Sequence, residues 1–182
     1  SEIGVRETRH IEGVYTLTGE DVYEGRKFED VLSRGYFPID LHNPDGKEGY
    51  GNGGVWKVPK DTYDIPYRCL IPKHIDGLIL SGRCISGTSE AHGSYRTQGG
   101  IMGIGQASGV AAAVCARNHV QPREQDYKEI QQELIKLGAS VYRDEEKTKK
   151  EKERARKIAQ KYIEDHKGNL ITLPEILKQY ED

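Results

Sequence analysis

Apolar positions along this chain fall into a few short runs and a few helical stripes. Leu78-Ile79-Leu80, bounded by Gly77 and Gly82, is apolar without alternation, the pattern of a strand buried on both faces. A polar stretch carrying Ser86, Thr88, Ser89, Glu90, His92 and Arg96 follows it and reads as a loop. After Gly99-Gly100, the residues Ile101, Ile104, Ala107 or Ser108, Ala111 and Cys115 recur at helical spacing, with Met102, Val110 and Val114 on an adjacent stripe. Gly103, Gly105 and Gly109 lie within that stretch, although glycine costs a helix roughly 1 kcal/mol per position. Such small side chains let a neighbouring backbone or a flat ligand come close. The first turn would also offer unpaired N–H groups and the positive end of the helix dipole. On physical grounds alone, tight packing on a sheet and an approaching ligand both fit.

The remaining pattern predicts smaller elements. Residues 9–17 are partly alternating and read as a strand or hairpin. Thr18-Gly19-Glu20-Asp21 is a helix start, with a capping hydroxyl and acidic residues in the first turn. A second helix is expected at 28–34, stopped by Gly35, and an edge strand at 36–41, where Pro38 cannot donate to a ladder. Residues 42–60 read as a glycine-rich loop, either a lid or merely variable, with Trp56 as an anchor at its far end. Residues 63–72 read as an extended strand between prolines. A further helix is expected at 123–137, with Tyr127, Ile130, Leu134 and Leu137 on one face. From Arg143 to Lys167 the composition turns to Lys, Arg and Glu, with Ala155, Ile158, Ala159, Tyr162 and Ile163 still at amphipathic spacing. Thr172 and Glu175 form a capping box that opens a last short helix.

Composition narrows the class. With 27 Lys and Arg against 29 Asp and Glu, no basic field argues for nucleic acid. No apolar run reaches the roughly 20 residues a membrane helix needs, so no membrane partner is expected. The opening SEIGVRETRH has no apolar core for a signal peptide, and a cytoplasmic location is expected unless a signal lies upstream. Cys69, Cys84 and Cys115 are sparse and make no C-x-x-C, which predicts free and inert thiols. The six His are scattered without ligand spacing, so no metal is expected. No G-x-S-x-G elbow marks a hydrolase.

The stretch SGRCISGTSEAHGSYRTQGGIMGIGQASGVAAA resembles the C-terminal flavin-contacting motif of FAD-dependent oxidoreductases, in the branch reading AGRCIS…EA.GS.R…GQA.G.AAA. RETRHIEGVYTLTGEDV and Tyr63 to Leu70 are similar to two further segments of that family, so the resemblance runs in order over residues 4–120. It implies FAD as cofactor, contacted by Gly82 and Arg83 at a strand end and by Gly99, Gly100, Ile101 and Met102 at the helix start. It further implies hydride transfer between a small-molecule substrate and flavin, with His92 and Arg96 as catalytic candidates and Glu90 as their partner. His-Gly-x-x-Arg, here His92 to Arg96, is also similar to a motif of fumarate-reductase-like flavoproteins in which the Arg serves the substrate. Arg6 or Arg9 could face that site, and Arg68 either serves it or pairs with a carboxylate.

One family element has no counterpart. Gly103-x-Gly105-x-x-x-Gly109 is one residue too long for G-x-G-x-x-G and lies inside a helix pattern. The chain therefore reads as the C-terminal part of a longer flavoenzyme, inactive alone, with the missing FAD-binding region as its partner and a homo-oligomer possible. The expected fold is α/β with α+β character: a partial FAD-binding unit, antiparallel substrate-domain strands and a helical tail. The expected divisions are 1–72 for the substrate or cap region, 73–140 for the FAD-binding part and 141–182 for the charged tail. The competing reading is a non-catalytic interaction module built on a tightly packed glycine-rich helix.

Overall fold

A computed structural model describes residue 7, residues 9–41 and 55–146, and residues 149, 150, 153, 154, 156–158 and 160. Contacts divide the chain into two compact units, residues 1–141 and 142–182. The first opens with α1 (Gly19–Glu24), where the Thr18 hydroxyl accepts from the Asp21 amide and Asp21 accepts from the Thr18 amide. This capping box is legible in the sequence. Gly25 closes the helix at φ 66°, a left-handed position that suits glycine.

The helix expected at 28–34 is instead β1 (Val31–Gly35), paired antiparallel with β4 (Tyr63–Pro66). Tertiary contacts override local propensity here. The Asp64 carboxylate accepts from the Phe28 amide, and Gln131 donates to the Glu29 and Val31 carbonyls. Gly35 permits the pairing, because a Cβ there would lie 2.3 Å from the Tyr63 ring. A second antiparallel pair joins β2 (Ile39–Leu41) to β3 (Val55–Lys57). Trp56 is about half exposed and meets Phe37 edge-on at 6.0 Å. Residues 42–54 of the expected loop lie outside the described residues.

The strand expected at 9–17 reduces to two isolated bridges, Gly13 to Pro72 and Leu17 to Gly87. The long strand expected at 63–72 ends at Pro66, and a tight 3-10 turn (Tyr67–Cys69) follows. Leu78-Ile79-Leu80 has no regular secondary structure and joins no sheet among the described residues. Only Leu80 is buried, its amide bonded to the Leu70 carbonyl, while Leu78 is exposed. An apolar run becomes a strand only where another strand lies beside it, and among the described residues none does here.

The polar loop is largely α2 (Ser89–Tyr95), capped by the Thr88 hydroxyl on the Ala91 amide. α3 (Gln98–Asn118) buries Ile104, Ala107, Ser108, Ala111, Val114 and Cys115 against β1, α4 (Tyr127–Lys136) and a 3-10 turn at Gly82–Cys84. This is the predicted stripe, shifted so that Ile101 is only half-buried. α3 also corrects an expectation, because its 21 residues are long and apolar enough to cross a membrane by length and composition. Ala, Val and Ile raise its hydropathy despite the glycines. α4 begins at Asp126, whose carboxylate accepts from the Lys128 amide. Ile130 and Leu134 are buried as expected, but Leu137 lies past the last helical residue and is exposed. The core gathers Leu17, Ile65, Tyr63, Tyr95, Ile85 and Ile104 with these α4 residues.

In the second unit, the described residues between 145 and 160 are helical, and Ile158 is exposed. Ala155, Ala159, Tyr162 and Ile163 of its expected stripe, and the capping box at Thr172, lie outside the described residues. The described architecture mixes helices with small antiparallel sheets, without a closed barrel, and is α/β with α+β character.

Candidate functional site

The expected cofactor residues lie at the start of α3 and on the 3-10 turn beside its middle. Thr97 holds the N-cap position with extended backbone, yet its side chain makes no capping bond. Its hydroxyl turns back toward the Ser94 carbonyl at 3.5 Å. The first amide paired within the helix is Ile101, to the Thr97 carbonyl. The N–H groups of Gln98, Gly99 and Gly100 precede it in the first turn, where no intrahelical acceptor exists. A Cβ on Gly99 would meet nothing within 4 Å, and Met102 is 74% exposed. Gly100 differs, because a Cβ there would lie 2.5 Å from the Tyr95 carbonyl oxygen. It is needed where α2 turns into α3.

Gly82 and Arg83 open the 3-10 turn, which packs against the middle of α3 through Ser108 Oγ donating to Ser81 Oγ at 2.7 Å. Gly82 has φ 69°, the left-handed region that favours glycine, and open space beyond its Cβ position. Arg83 is exposed. Residue 108 is eight positions beyond residue 100, so the turn sits about 12 Å along the axis from the helix start. Gly105 and Gly109 in the same helix would also meet nothing within 4 Å at Cβ. The start of α3 thus offers amide donors beside an open glycine, Gly99, and the exposed Met102, and a left-handed glycine, Gly82, stands beside the middle of the helix. A long, flat, anionic cofactor such as FAD fits a surface of this chemistry.

The two catalytic candidates lie within α2 and at its C-terminal end. Arg96 ends α2, with its guanidinium mostly buried, donating to the Asp40 carbonyl at 2.8 Å and lying 3.9 Å from the Asp40 carboxylate. Asp40, not the expected Glu90, is its carboxylate. Glu90 packs instead at Gly19, the start of α1. His92 is only 1% exposed, its ring lying 5.0 Å from that of His10 and 5.2 Å from that of Tyr95. Burial pushes its imidazole down to about 4, against the opposing pull of the Glu7 carboxylate. Glu7 Oε2 lies 3.7 Å from His92 Nδ1, and Glu7 Oε1 lies 3.0 Å from His10 Nε2. Scattered sequence spacing conceals this grouping, which the fold assembles across 85 positions.

Arg68 takes the carboxylate-partner reading. Its Nε and Nη2 donate to the Asp30 carboxylate at 2.9 and 3.1 Å, and its amide donates to the same group. Arg9 is exposed, and Arg6 lies outside the described residues. All three cysteines are free. Cys69 is buried, and desolvation raises its pKa well above the ordinary thiol value. Cys84 Sγ donates to the Ser81 carbonyl. The sequence does not single out the Thr97 hydroxyl, whose orientation depends on the α2–α3 turn.

No curated protein and no solved structure matches the chain. A family model does match, that of FAD dependent oxidoreductase, over residues 1–134. This span contains α1 to α3, both sheets and all of the expected cofactor residues, and the family's cofactor is FAD. The chain thus belongs to the FAD dependent oxidoreductase family.

Proposed function

We propose that this chain supplies the flavin-edge and substrate-side part of an oxidoreductase, working with a dinucleotide-binding unit that holds the FAD pyrophosphate. The observation that carries this reading is the open start of α3, where the Thr97 hydroxyl turns away from the first-turn amides. When bound, FAD supplies the hydride acceptor or donor. The amides of Gln98, Gly99 and Gly100 and the dipole of α3 hold negative charge at the edge of the ligand they face. Gly82 lets the backbone come close to the ligand, and Arg83 offers a cation to its phosphate or ribityl oxygens.

Arg96 takes the substrate side, because it stands one residue before the α3 cap and keeps donors beyond those spent on Asp40. Its bond to β2 orients the guanidinium for a substrate carboxylate. His92 is enclosed by His10 and Tyr95.

The test is an FAD titration followed by flavin fluorescence, with Gly99→Trp as the variant. Gly99 has open space at Cβ, so the indole blocks the ligand without displacing protein atoms. Saturable binding weakened at least about tenfold is expected, which corresponds to about 1.4 kcal/mol. Unchanged affinity in Gly99→Trp, with the fold intact by circular dichroism, would refute flavin contact at this helix start.

A further inference from the structure

Glu7, His10 and His92 place one ligand atom each within 4.8 Å of one another. The electron pairs in this cluster do not satisfy each other. The Gly87 carbonyl can only accept a hydrogen bond, so His10 Nδ1, 2.5 Å away, is the donor and carries the proton. His10 Nε2 is then a bare lone pair facing Glu7 Oε1 at 3.0 Å, buried and without a hydrogen bond. His92 Nδ1 is likewise buried without a hydrogen-bond partner, and its residue is only 1% exposed. A second proton on His10 would satisfy its contact with Glu7 and leave His92 Nδ1 stranded. A cation between the three groups satisfies all of them.

We propose that Glu7, His10 and His92 form a binding site for a divalent first-row transition ion, with two imidazoles and one carboxylate as ligands. Ligand bonds of about 2.1 Å place tetrahedral ligand atoms about 3.4 Å apart. His10 Nε2 lies 3.0 Å from Glu7 Oε1 and His92 Nδ1 lies 3.7 Å from Glu7 Oε2, distances on either side of that value with a different carboxylate oxygen facing each imidazole. Nitrogen donors favour zinc-like ions over calcium or magnesium, which take oxygen ligands.

A supporting shell is also present. Gly87 fixes the His10 tautomer through its carbonyl, and Ser89 Oγ donates to Glu7 Oε1 at 2.7 Å. The ion would tie Glu7 and His10 to α2 and to the bridge that joins Gly87 to Leu17. Three protein ligands leave a fourth position for water. The three ligands are not among the expected flavin contacts, so the site needs no bound flavin.

The experiment titrates ZnCl2 into the EDTA-stripped protein by calorimetry and records the visible spectrum of the Co²⁺-loaded protein. Glu7→Gln and His10→Gln test the ligands at partly exposed positions, where loss of fold is not expected. Glu12→Gln is the control, because Glu12 makes a different His contact, 3.8 Å from His74. One Zn²⁺ per chain is expected, with a tetrahedral Co²⁺ spectrum and a Tm that rises with zinc. Binding should fall at least tenfold in Glu7→Gln and His10→Gln and persist in Glu12→Gln. Absence of stoichiometric binding would overturn the proposal. So would equal affinity in Glu7→Gln, His10→Gln and the parent protein, which would mark binding elsewhere on the surface.

Discussion

The glycines of α3 make opposite predictions depending on which side of the helix they occupy. A Cβ added at Gly105 or Gly109 would meet nothing within 4 Å, whereas a Cβ on Gly100 would lie 2.5 Å from the Tyr95 carbonyl oxygen. Alanine in an open helix interior gains about 0.5–1 kcal/mol over glycine, through lower entropy of the unfolded chain and better propensity. Gly105→Ala and Gly109→Ala should each stabilise the protein by that amount, raising Tm by about 2–4 °C per kcal/mol at this chain length. Gly100→Ala has the same propensity gain but forces the α2–α3 turn apart. Overpacking against backbone costs about 1–3 kcal/mol, so a net loss is expected. The assay is urea denaturation by circular dichroism, with unchanged m-values as the check that the unfolding reaction is the same. Destabilisation by both Gly105→Ala and Gly109→Ala would show that this side of α3 is packed in the protein. It would refute the open space at these two glycines.

Two buried carboxylates give further predictions. Asp21 is 2% exposed; burial alone would push its carboxyl up, but the Thr18 amide, the Tyr15 and Thr18 hydroxyls and Arg26 together hold it below the ordinary value. A folded pKa below the unfolded value of about 3.9 contributes stability that is fully present above that pH and lost as pH falls through the folded pKa. Asp21→Asn should therefore cost about 2 kcal/mol at pH 7, and its difference from the parent protein should shrink below about pH 4 in urea titrations. A difference independent of pH would contradict this. Asp30→Ala removes the carboxylate that accepts two bonds from the Arg68 guanidinium and one from its amide. Because Arg68 is partly exposed and can hydrate, the expected loss is about 2–3 kcal/mol by equilibrium unfolding; a loss below about 0.5 kcal/mol would refute the role of this pair.

Local signals in the sequence suffice where local physics decides. The capping box at Thr18, the buried stripe of α3 and the body of α4 follow from capping chemistry and helical spacing. Elements decided by distant partners are not legible in this way. Residues 31–35 have no local reason to be extended until β4 pairs with them and Gln131 binds the Val31 carbonyl. Leu78-Ile79-Leu80 has a strand's composition but, among the described residues, no neighbouring strand. At the candidate site, Gly82, Gly99 and Gly100 are legible from the family motif, but the motif does not distinguish their physical roles. Gly99 opens onto space, Gly82 adopts a left-handed backbone, and Gly100 avoids a carbonyl. The grouping of Glu7 and His10 with His92 has no sequence signal, because it needs the bridge that brings Leu17 beside Gly87.

The most direct test of the flavin assignment is a proton–nitrogen correlation NMR spectrum of the protein titrated with FAD to millimolar concentration, where even weak binding registers. The amides of Gln98, Gly99 and Gly100 should shift most, together with those of Gly82 and Arg83, and all should saturate with one dissociation constant. Shifts confined to other residues, or no shifts at all, would contradict a flavin site at the start of α3.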